Sequence, residues 1–233
     1  MSLIDKSQAE GLVNRIMRGF KHSGDNHEFS QLGNYKRKKQ SRELVKLSKR
    51  INQLSFIEQR YQESAKCEVI YGEWSLSGKN TGSLSGLEYD TVGFDLIIDT
   101  PEGQRDKFFY LHLSKHALVR LIMRSHVELK NSTQLRSFLD SICKKLILSC
   151  CALWSKSIKS QKVKNEGYVL INDLFIPVVM ETGKNIRNQE ARVFTIKTVM
   201  PKEYDGAKSS ISNEISLPIK GSIFDYTDII QAS

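Results

Sequence analysis

The stretch LHLSKHALVRLIMR, Leu111–Arg124, marks a change from strand to helix around which the rest of the chain is arranged. The apolar, β-rich run before Ser114 predicts a strand, and Ser114 is a favourable N-cap for a helix that begins directly after it. On that helix His116, Arg120 and Arg124 recur every four residues and therefore share one face. The stretch predicts a strand that runs into a helix with a basic face.

The basic face has a chemical interpretation and a structural one. An imidazole exchanges protons near neutral pH and a guanidinium neutralises phosphate, so the two groups together suit metal-free RNA cleavage. His116 and Arg120 are therefore candidate catalytic residues, with His112 beside them at the end of the strand. An ordinary polar helix face is at least as compatible with the same spacing, and both interpretations stay open.

Two strand regions precede this stretch. CEVIYGEWSL, which begins at Cys67, and LEYDTVGFDLIIDT, which Gly93 interrupts, are both apolar and β-rich. The segment PEGQ, Pro101–Gln104, is a turn that leads into the strand before His112. The strand predicted over residues 87–100 and the strand that leads to His112 are therefore expected to form a hairpin.

A second, longer helix and a return to strands follow the basic helix. The helix starts at Ser132 or Thr133, runs to about Lys159, and has the broad apolar surface of a core helix. YVLI and LFIPVVM are joined by Asn172 and Asp173 and predict a tight hairpin. RVFTIKTVMP alternates like a closing strand, and EISLPI is a candidate edge strand because proline breaks a central ladder.

The first 66 residues have a different pattern. Residues 8–20 predict a weak helix, and residues 38–65 predict an amphipathic helix that starts in the basic cluster YKRKKQSR. The apolar seam of the longer helix comprises Leu44, Leu47, Ile51, Leu54 and Tyr61. Such a helix packs on the core or on a protein partner, and a nucleic-acid-binding arm is the alternative.

Together these segments predict an α+β protein in which two helices pack on an antiparallel sheet. The predicted division is a basic helical extension, residues 1–66, followed by an α+β domain, residues 67–233. A chain of 233 residues is long enough for one substantial core with a smaller appended unit.

The chain is basic, since 35 lysines and arginines against 26 aspartates and glutamates give a formal net charge of +9. This charge favours polyanionic partners, RNA among them. Eight basic side chains are candidates for binding nucleic acid: Lys144, Lys145, Lys159, Lys162, Lys164, Arg187, Arg192 and Lys197. Each phosphate contact makes binding salt-dependent. A solvated helix face explains the same clusters equally well.

The sequence lacks the motifs of several common catalytic, nucleotide-binding and metal-binding sites. The chain has no GxSxG elbow, no GxxxxGK[ST] loop, no HExxH pair and no CxxC pair, so neither a metal nor a cofactor is expected. Cys150 and Cys151 lie in an apolar run, where cysteine behaves as a small hydrophobe. The amino terminus lacks a secretory apolar region, and the longest apolar run, residues 146–154, is too short to span a membrane. We therefore expect a cytoplasmic protein with no membrane partner.

The order of strand, SxHAxxR helix, apolar hairpin and TVxP closing strand resembles small bacterial toxin-type domains of the barnase/EndoU/colicin/RelE-like ribonuclease fold. The resemblance covers about residues 108–202, and its matching residues are Ser114, His116, Ala117, Arg120, Thr198, Val199 and Pro201. It implies a metal-independent ribonuclease that acts on RNA. The alternative is a non-enzymatic nucleic-acid-binding or regulatory interaction protein with the same fold.

The resemblance also implies roles for individual residues. His116 is expected to act as general acid or base at the ribose 2′-hydroxyl or the leaving oxygen, and Arg120 to stabilise phosphorane-like charge. Thr198 is expected to position the scissile phosphate from the closing strand. His112 or Lys197 would supply the second proton-transfer or charge-stabilising group.

Overall fold

The structure is a computed structural model that describes residues 4–20, 54–61, 67–79, 88–99, 108–125, 127, 129, 131–159, 166–184, 190–201, 203–204 and 223–226. The helices among them are α1 (Lys6–Met17), α2 (Lys115–Arg124), α3 (Ser132–Lys159) and a short 3₁₀ helix (Ile223–Tyr226). The strands are β1 (Leu54–Tyr61), β2 (Cys67–Lys79), β3 (Glu88–Asp99), β4 (Phe108–Ser114), β5 (Glu166–Ile171), β6 (Leu174–Lys184), β7 (Glu190–Ile196) and β8 (Met200–Pro201).

One mixed sheet organises the fold. Its strands lie in the order β1–β2–β3–β4–β7–β6–β5, and β8 pairs with β6 beyond the end of β7. The paired strands are antiparallel except for β4 and β7, which are parallel. The predicted α+β class is confirmed, and the parallel pair is its one departure from a purely antiparallel sheet. Parallel strands need a long crossover connection. Between β4 and β7 the segment that contains α2, α3 and the β5–β6 hairpin supplies it.

The predicted hairpin between β5 and β6 is confirmed. Ile171 pairs with Leu174, so Asn172 and Asp173 form a two-residue turn, with positive φ angles of 50° and 62°. Asparagine and aspartate enter this left-handed region more easily than other non-glycine residues, and two-residue hairpins favour turns that use it. The predicted pairing of β3 with β4 is confirmed as well.

Alternation along the central strands gives the sheet two different faces. On one face Trp74, Phe94, Leu111 and Phe194 are fully buried, and they share a single core with the buried residues of all three α-helices. Successive side chains of a strand point to opposite faces. The residues between these aromatic and aliphatic positions therefore lie on the face away from the helices.

A partly buried polar contact joins the sheet to the helices beside this core. The indole Nε1 of Trp74 donates to Oδ1 of Asp140 on α3 at 2.6 Å, and Nε of Arg136 donates to the same oxygen at 3.1 Å. The Arg136 guanidinium lies 5.0 Å from the centroid of the Phe20 ring and 5.8 Å from that of Trp74. Burial lowers the pKa of Arg136, while the Asp140 carboxylate opposes that shift. The Asp140 carboxylate thus links α3 to β2 and, through Arg136, to Phe20, the third residue after α1.

The weak amino-terminal helix predicted over residues 8–20 is confirmed as α1. The side chain of Asp5 accepts a hydrogen bond from the backbone N of Gln8 at 2.8 Å, and Gln8 Oε1 accepts from the backbone N of Asp5 at 3.4 Å. This reciprocal capping box starts the helix. Its buried face consists of Ala9, Val13, Ile16 and Met17. The helix therefore packs into the core rather than standing apart from it.

The helix predicted over residues 38–65 is wrong at its carboxyl-terminal end. Residues Leu54–Tyr61 form β1, which pairs antiparallel with β2, and residues 38–53 lie outside the described residues. The apolar spacing from Leu44 to Tyr61 predicts a helix, but LSFIEQRY also has the apolar and aromatic content of a strand. Backbone pairing with the long β2 outweighs the local helical pattern, because propensity is only a weak preference.

The Glu58 carboxylate holds β1 to the rest of the fold. It accepts a hydrogen bond from Nζ of Lys144 on α3 and another from the backbone N of Ile223 in the 3₁₀ helix. The Lys144 ammonium also lies 5.1 Å from the centroid of the Phe56 ring. Residues on both sides of position 66 therefore share one core among the described residues. The division into residues 1–66 and 67–233 stays a prediction.

The long core helix is confirmed as α3. Its N-cap is Asn131, whose Oδ1 accepts from the backbone N of Gln134 at 2.9 Å. This cap lies just before the two expected caps, Ser132 and Thr133. Its buried side chains include Cys143, Cys150 and Cys151, and none of these three forms a disulfide. Burial raises the pKa of the first two. Within the described part of the chain, no helix is both long and apolar enough to cross a membrane.

Candidate functional site

A groove of about 200 Å³ lies between α1 and α2. Seven side chains line it: Lys6, Glu10, Lys115, His116, Val119, Arg120 and Met123. The set combines three cationic side chains, one carboxylate and one imidazole with two apolar residues. Because α1 supplies two of the seven, the packing of α1 along α2 creates the groove.

The hydroxyl of Ser114 sets the start of α2. Its Oγ accepts a hydrogen bond from the backbone N of Ala117 at 3.0 Å, which confirms the predicted N-cap. The same hydroxyl donates to the backbone carbonyl of Lys197 at 2.8 Å. These two bonds hold the first helical turn, which carries Lys115 and His116, against the chain that leaves β7.

The basic residues predicted to share one face of α2 have different surroundings. His116 is exposed and Arg120 is half-buried, and both line the groove. Arg124 is half-buried outside the groove, and its Nη1 donates to the backbone carbonyl of Val199. Burial lowers the pKa of Arg124, and the nearby charge of Arg120 lowers it further. The structure therefore places His116 and Arg120 in one groove and gives Arg124 a backbone contact instead.

Lys6 and Glu10 are groove residues that the sequence did not single out. They form an i,i+4 pair on α1 with Nζ and Oε1 3.7 Å apart, and their side chains are 70% and 44% exposed. So exposed a pair is weak, and its members can rearrange toward a ligand. Their spacing is visible in the sequence, but nothing local indicates that α1 packs beside α2. That contact is between segments far apart in the chain.

His112 lies on the other side of the sheet. Its neighbours Leu111 and Leu113 are buried beneath the helices, so strand alternation directs His112 to the opposite face. There it is half-buried, and its ring centroid lies 6.0 Å from that of Tyr110, with the two rings 20° from parallel. His112 does not line the groove that contains His116.

His112 belongs to a group that we call the polar face, which comprises Glu73, Ser75, Asp95, Tyr110 and His112. The first three are 0% exposed. In the cross-strand register Gly93 lies between Ser75 and His112, and a Cβ at Gly93 would lie 2.1 Å from the hydroxyl oxygen of Tyr110. Glycine therefore leaves room for the Tyr110 ring to lie across β3. The strand runs through Gly93, and the predicted interruption there is wrong.

The closing strand predicted over residues 192–201 is confirmed as β7 only up to Ile196. Thr198, expected on that strand, lies two residues beyond its end, in the connection between β7 and β8. The carbonyls on either side of it, those of Lys197 and Val199, accept the hydrogen bonds from Ser114 and Arg124. These bonds hold Thr198 half-buried next to α2. Thr198 is not among the residues that line the groove.

Two of the predicted nucleic-acid-binding residues make contacts within the fold. Lys144 pairs with Glu58, and its side chain is only 21% exposed. Arg192 donates from Nη1 to Oγ1 of Thr182 at 2.8 Å, and its guanidinium lies 5.0 Å from the centroid of the Trp154 ring. Both cations therefore contact neighbouring side chains within the fold, and their role in binding nucleic acid stays a prediction.

Of the other six predicted nucleic-acid-binding residues, the structure describes the side chains of two. Lys197 is exposed and Lys145 is half-buried. The side chain of Lys159 and the whole of three further residues, Lys162, Lys164 and Arg187, lie outside the described residues.

Among the described residues, no group of three or more histidine, cysteine, aspartate or glutamate side chains has the geometry to hold a metal ion. Comparison with family models finds no matching family, and comparisons with curated proteins and with solved structures find no match. The side chains that line the groove are therefore the basis for a functional proposal.

Proposed function

We propose that this protein is a metal-independent, ribonuclease-like enzyme that cleaves RNA in the groove between α1 and α2. The supporting observation is that the His116 imidazole, the Glu10 carboxylate and three cationic side chains line a single groove. Groups that exchange protons, next to groups that neutralise phosphate, are what cleavage through the ribose 2′-hydroxyl requires.

The charge of the groove suits a phosphodiester. Three cations lie in it with one carboxylate, and the whole chain carries a formal net charge of +9. Arg120 offers a planar guanidinium, which binds two phosphate oxygens at once, whereas Lys6 and Lys115 act as mobile point charges. A bound phosphate would therefore be neutralised from both helices. Each such contact adds to the salt dependence of binding.

In the proposed reaction the ribose 2′-oxygen attacks the adjacent phosphorus, and the bond from phosphorus to the 5′-oxygen breaks. Glu10 takes the proton of the 2′-hydroxyl, His116 gives a proton to the departing 5′-oxygen, and Arg120 stabilises the phosphorane-like charge. The products are a 2′,3′-cyclic phosphate and a 5′-hydroxyl. His112 and Thr198, which do not line the groove, have no direct part in this scheme.

Cleavage of a fluorescent RNA in the presence of EDTA tests the proposal. We expect His116→Ala and Glu10→Gln each to lower the rate by roughly 10²–10⁴-fold, the usual contribution of a general acid or base. The matched control is Lys156→Ala, which removes an exposed charge on α3 away from the groove and should leave the rate unchanged. Equal cleavage by the wild type and both groove variants, or cleavage by none of the proteins, would contradict the proposal.

A non-enzymatic nucleic-acid-binding role is the second candidate. It is favoured by the separation of the residues that the resemblance implies are catalytic, since His112 lies on the polar face and Thr198 outside the groove. In that case the protein binds RNA with an affinity that falls steeply as salt rises, and does not cleave it. Arg120→Ala would weaken this binding, whereas Lys156→Ala would not.

A further inference from the structure

The lining of the groove includes apolar side chains that the proposed chemistry does not use. Two of its lining residues, Val119 and Met123, carry no charge. Val119 is 4% exposed and Met123 is half-buried, so Met123 offers the larger accessible surface. Together with His116 and Arg120, these two residues lie on one side of α2 at helical spacing. At a rise of 1.5 Å per residue, the distance along the helix axis from His116 to Met123 is about 10 Å.

We infer that Met123 packs against the nucleobase of the nucleotide whose phosphate Arg120 binds, and that the groove accepts any of the four bases. This inference rests on the proposed function. Arg120 lies one turn from Met123, so a phosphate at the guanidinium leaves its attached base within reach of the thioether. A polarisable, flexible side chain adapts to aromatic rings of different size.

The size and chemistry of the groove set the mode of recognition. Its volume of about 200 Å³ is below the ~300–1,000 Å³ of sites that enclose drug-sized ligands, so one base at a time fits it. Bases are distinguished by directional hydrogen bonds to their edges. The side chains of Val119 and Met123 lack strong hydrogen-bonding groups, so contact with them tolerates every base.

Binding of short 2′-O-methyl oligonucleotides to the wild-type protein tests the inference, since these probes lack the attacking hydroxyl. We expect the four homopolymers to differ in Kd by less than about tenfold, and an abasic probe to bind about tenfold more weakly, as expected for loss of one stacked base. Met123→Ala should weaken binding of the base-bearing probes by a similar factor and leave the abasic probe unaffected. Met123→Leu should restore most of the loss.

Each other outcome overturns a defined part of the proposal. If Met123→Ala weakens all probes equally, or none of them, no base packs there. A preference above about 100-fold for one base would require hydrogen bonding to a base edge instead of apolar contact. Binding that depends on Arg120 but not on Met123 would overturn this inference and leave the proposed function standing. No salt-sensitive binding of any probe would overturn both.

Discussion

Replacement of Asp140 is expected to loosen the contact between the helices and the sheet. One oxygen of this residue accepts hydrogen bonds from the Trp74 indole at 2.6 Å and from Arg136 at 3.1 Å. Trp74 is 0% exposed, and Asp140→Ala removes the carboxylate oxygen that accepts from its indole N–H. The Arg136 side chain, which is 20% exposed, loses its counter-charge at the same time.

The magnitude follows from these two losses. An unsatisfied buried donor costs about 1–3 kcal/mol, and a partly buried charge without its partner adds a similar amount. We expect Asp140→Ala to lower the free energy of unfolding by about 2–6 kcal/mol. Asp140→Asn keeps a carbonyl oxygen for Trp74 and removes only the charge, so its expected loss is about 1–2 kcal/mol.

Urea unfolding followed by tryptophan fluorescence measures both variants. A double-mutant cycle with Trp74→Phe should give a coupling energy of about 0.5–3 kcal/mol, the range for residues in contact. Equal losses for Asp140→Ala and Asp140→Asn would show that the indole hydrogen bond contributes nothing. A loss below about 0.5 kcal/mol for both variants, which is typical of a plain surface substitution, would refute the contact itself.

Three further predictions concern other parts of the fold. Glu58→Ala should cost about 2–4 kcal/mol in urea unfolding, because it leaves a lysine and a backbone amide without their acceptor, and Glu58→Gln should cost less. Gly93→Ala should cost about 1–3 kcal/mol, because its Cβ collides with the Tyr110 ring; an unchanged cost in a Tyr110→Ala background would disprove that cause. Burial raises the pKa of the Cys143 and Cys150 thiols, so their protonated forms are favoured in the folded state. The two protonated thiols therefore stabilise the folded state fully below the ordinary thiol pKa, and this stabilisation is lost progressively as the pH rises above it. The free energy of unfolding should therefore fall above about pH 9 by up to ~1.4 kcal/mol per pH unit per thiol, less steeply in Cys150→Ala.

The features that the sequence predicted well are local. The Asn172–Asp173 turn and the Ser114 cap depend on the conformations and hydrogen bonds of a few consecutive residues, so their residue types suffice to predict them. The strand identity of Leu54–Tyr61 was missed because pairing with β2, a long-range contact, decides it. Local helical spacing carries no information about that partner.

The candidate site was predictable only in part, for the same reason. His116 and Arg120 share a helix face, and helical spacing identifies such pairs. Glu10 reaches the groove because α1 packs on α2, which no local pattern reveals. The sequence could have predicted the position of His112. Leu111 and Leu113 on either side of it are apolar and buried, and strand alternation places the residue between them on the opposite face of the sheet.

The end groups of the RNA fragments test the proposed chemistry most directly. Wild-type protein incubated with a defined RNA in EDTA is expected to yield fragments with 2′,3′-cyclic phosphate and 5′-hydroxyl ends, identified by mass spectrometry. His116→Ala should form them roughly 10²–10⁴-fold more slowly, and Lys156→Ala at the wild-type rate. Fragments with 3′-hydroxyl and 5′-phosphate ends, or cyclic-phosphate ends formed equally fast by His116→Ala, would contradict cleavage by the 2′-hydroxyl in this groove.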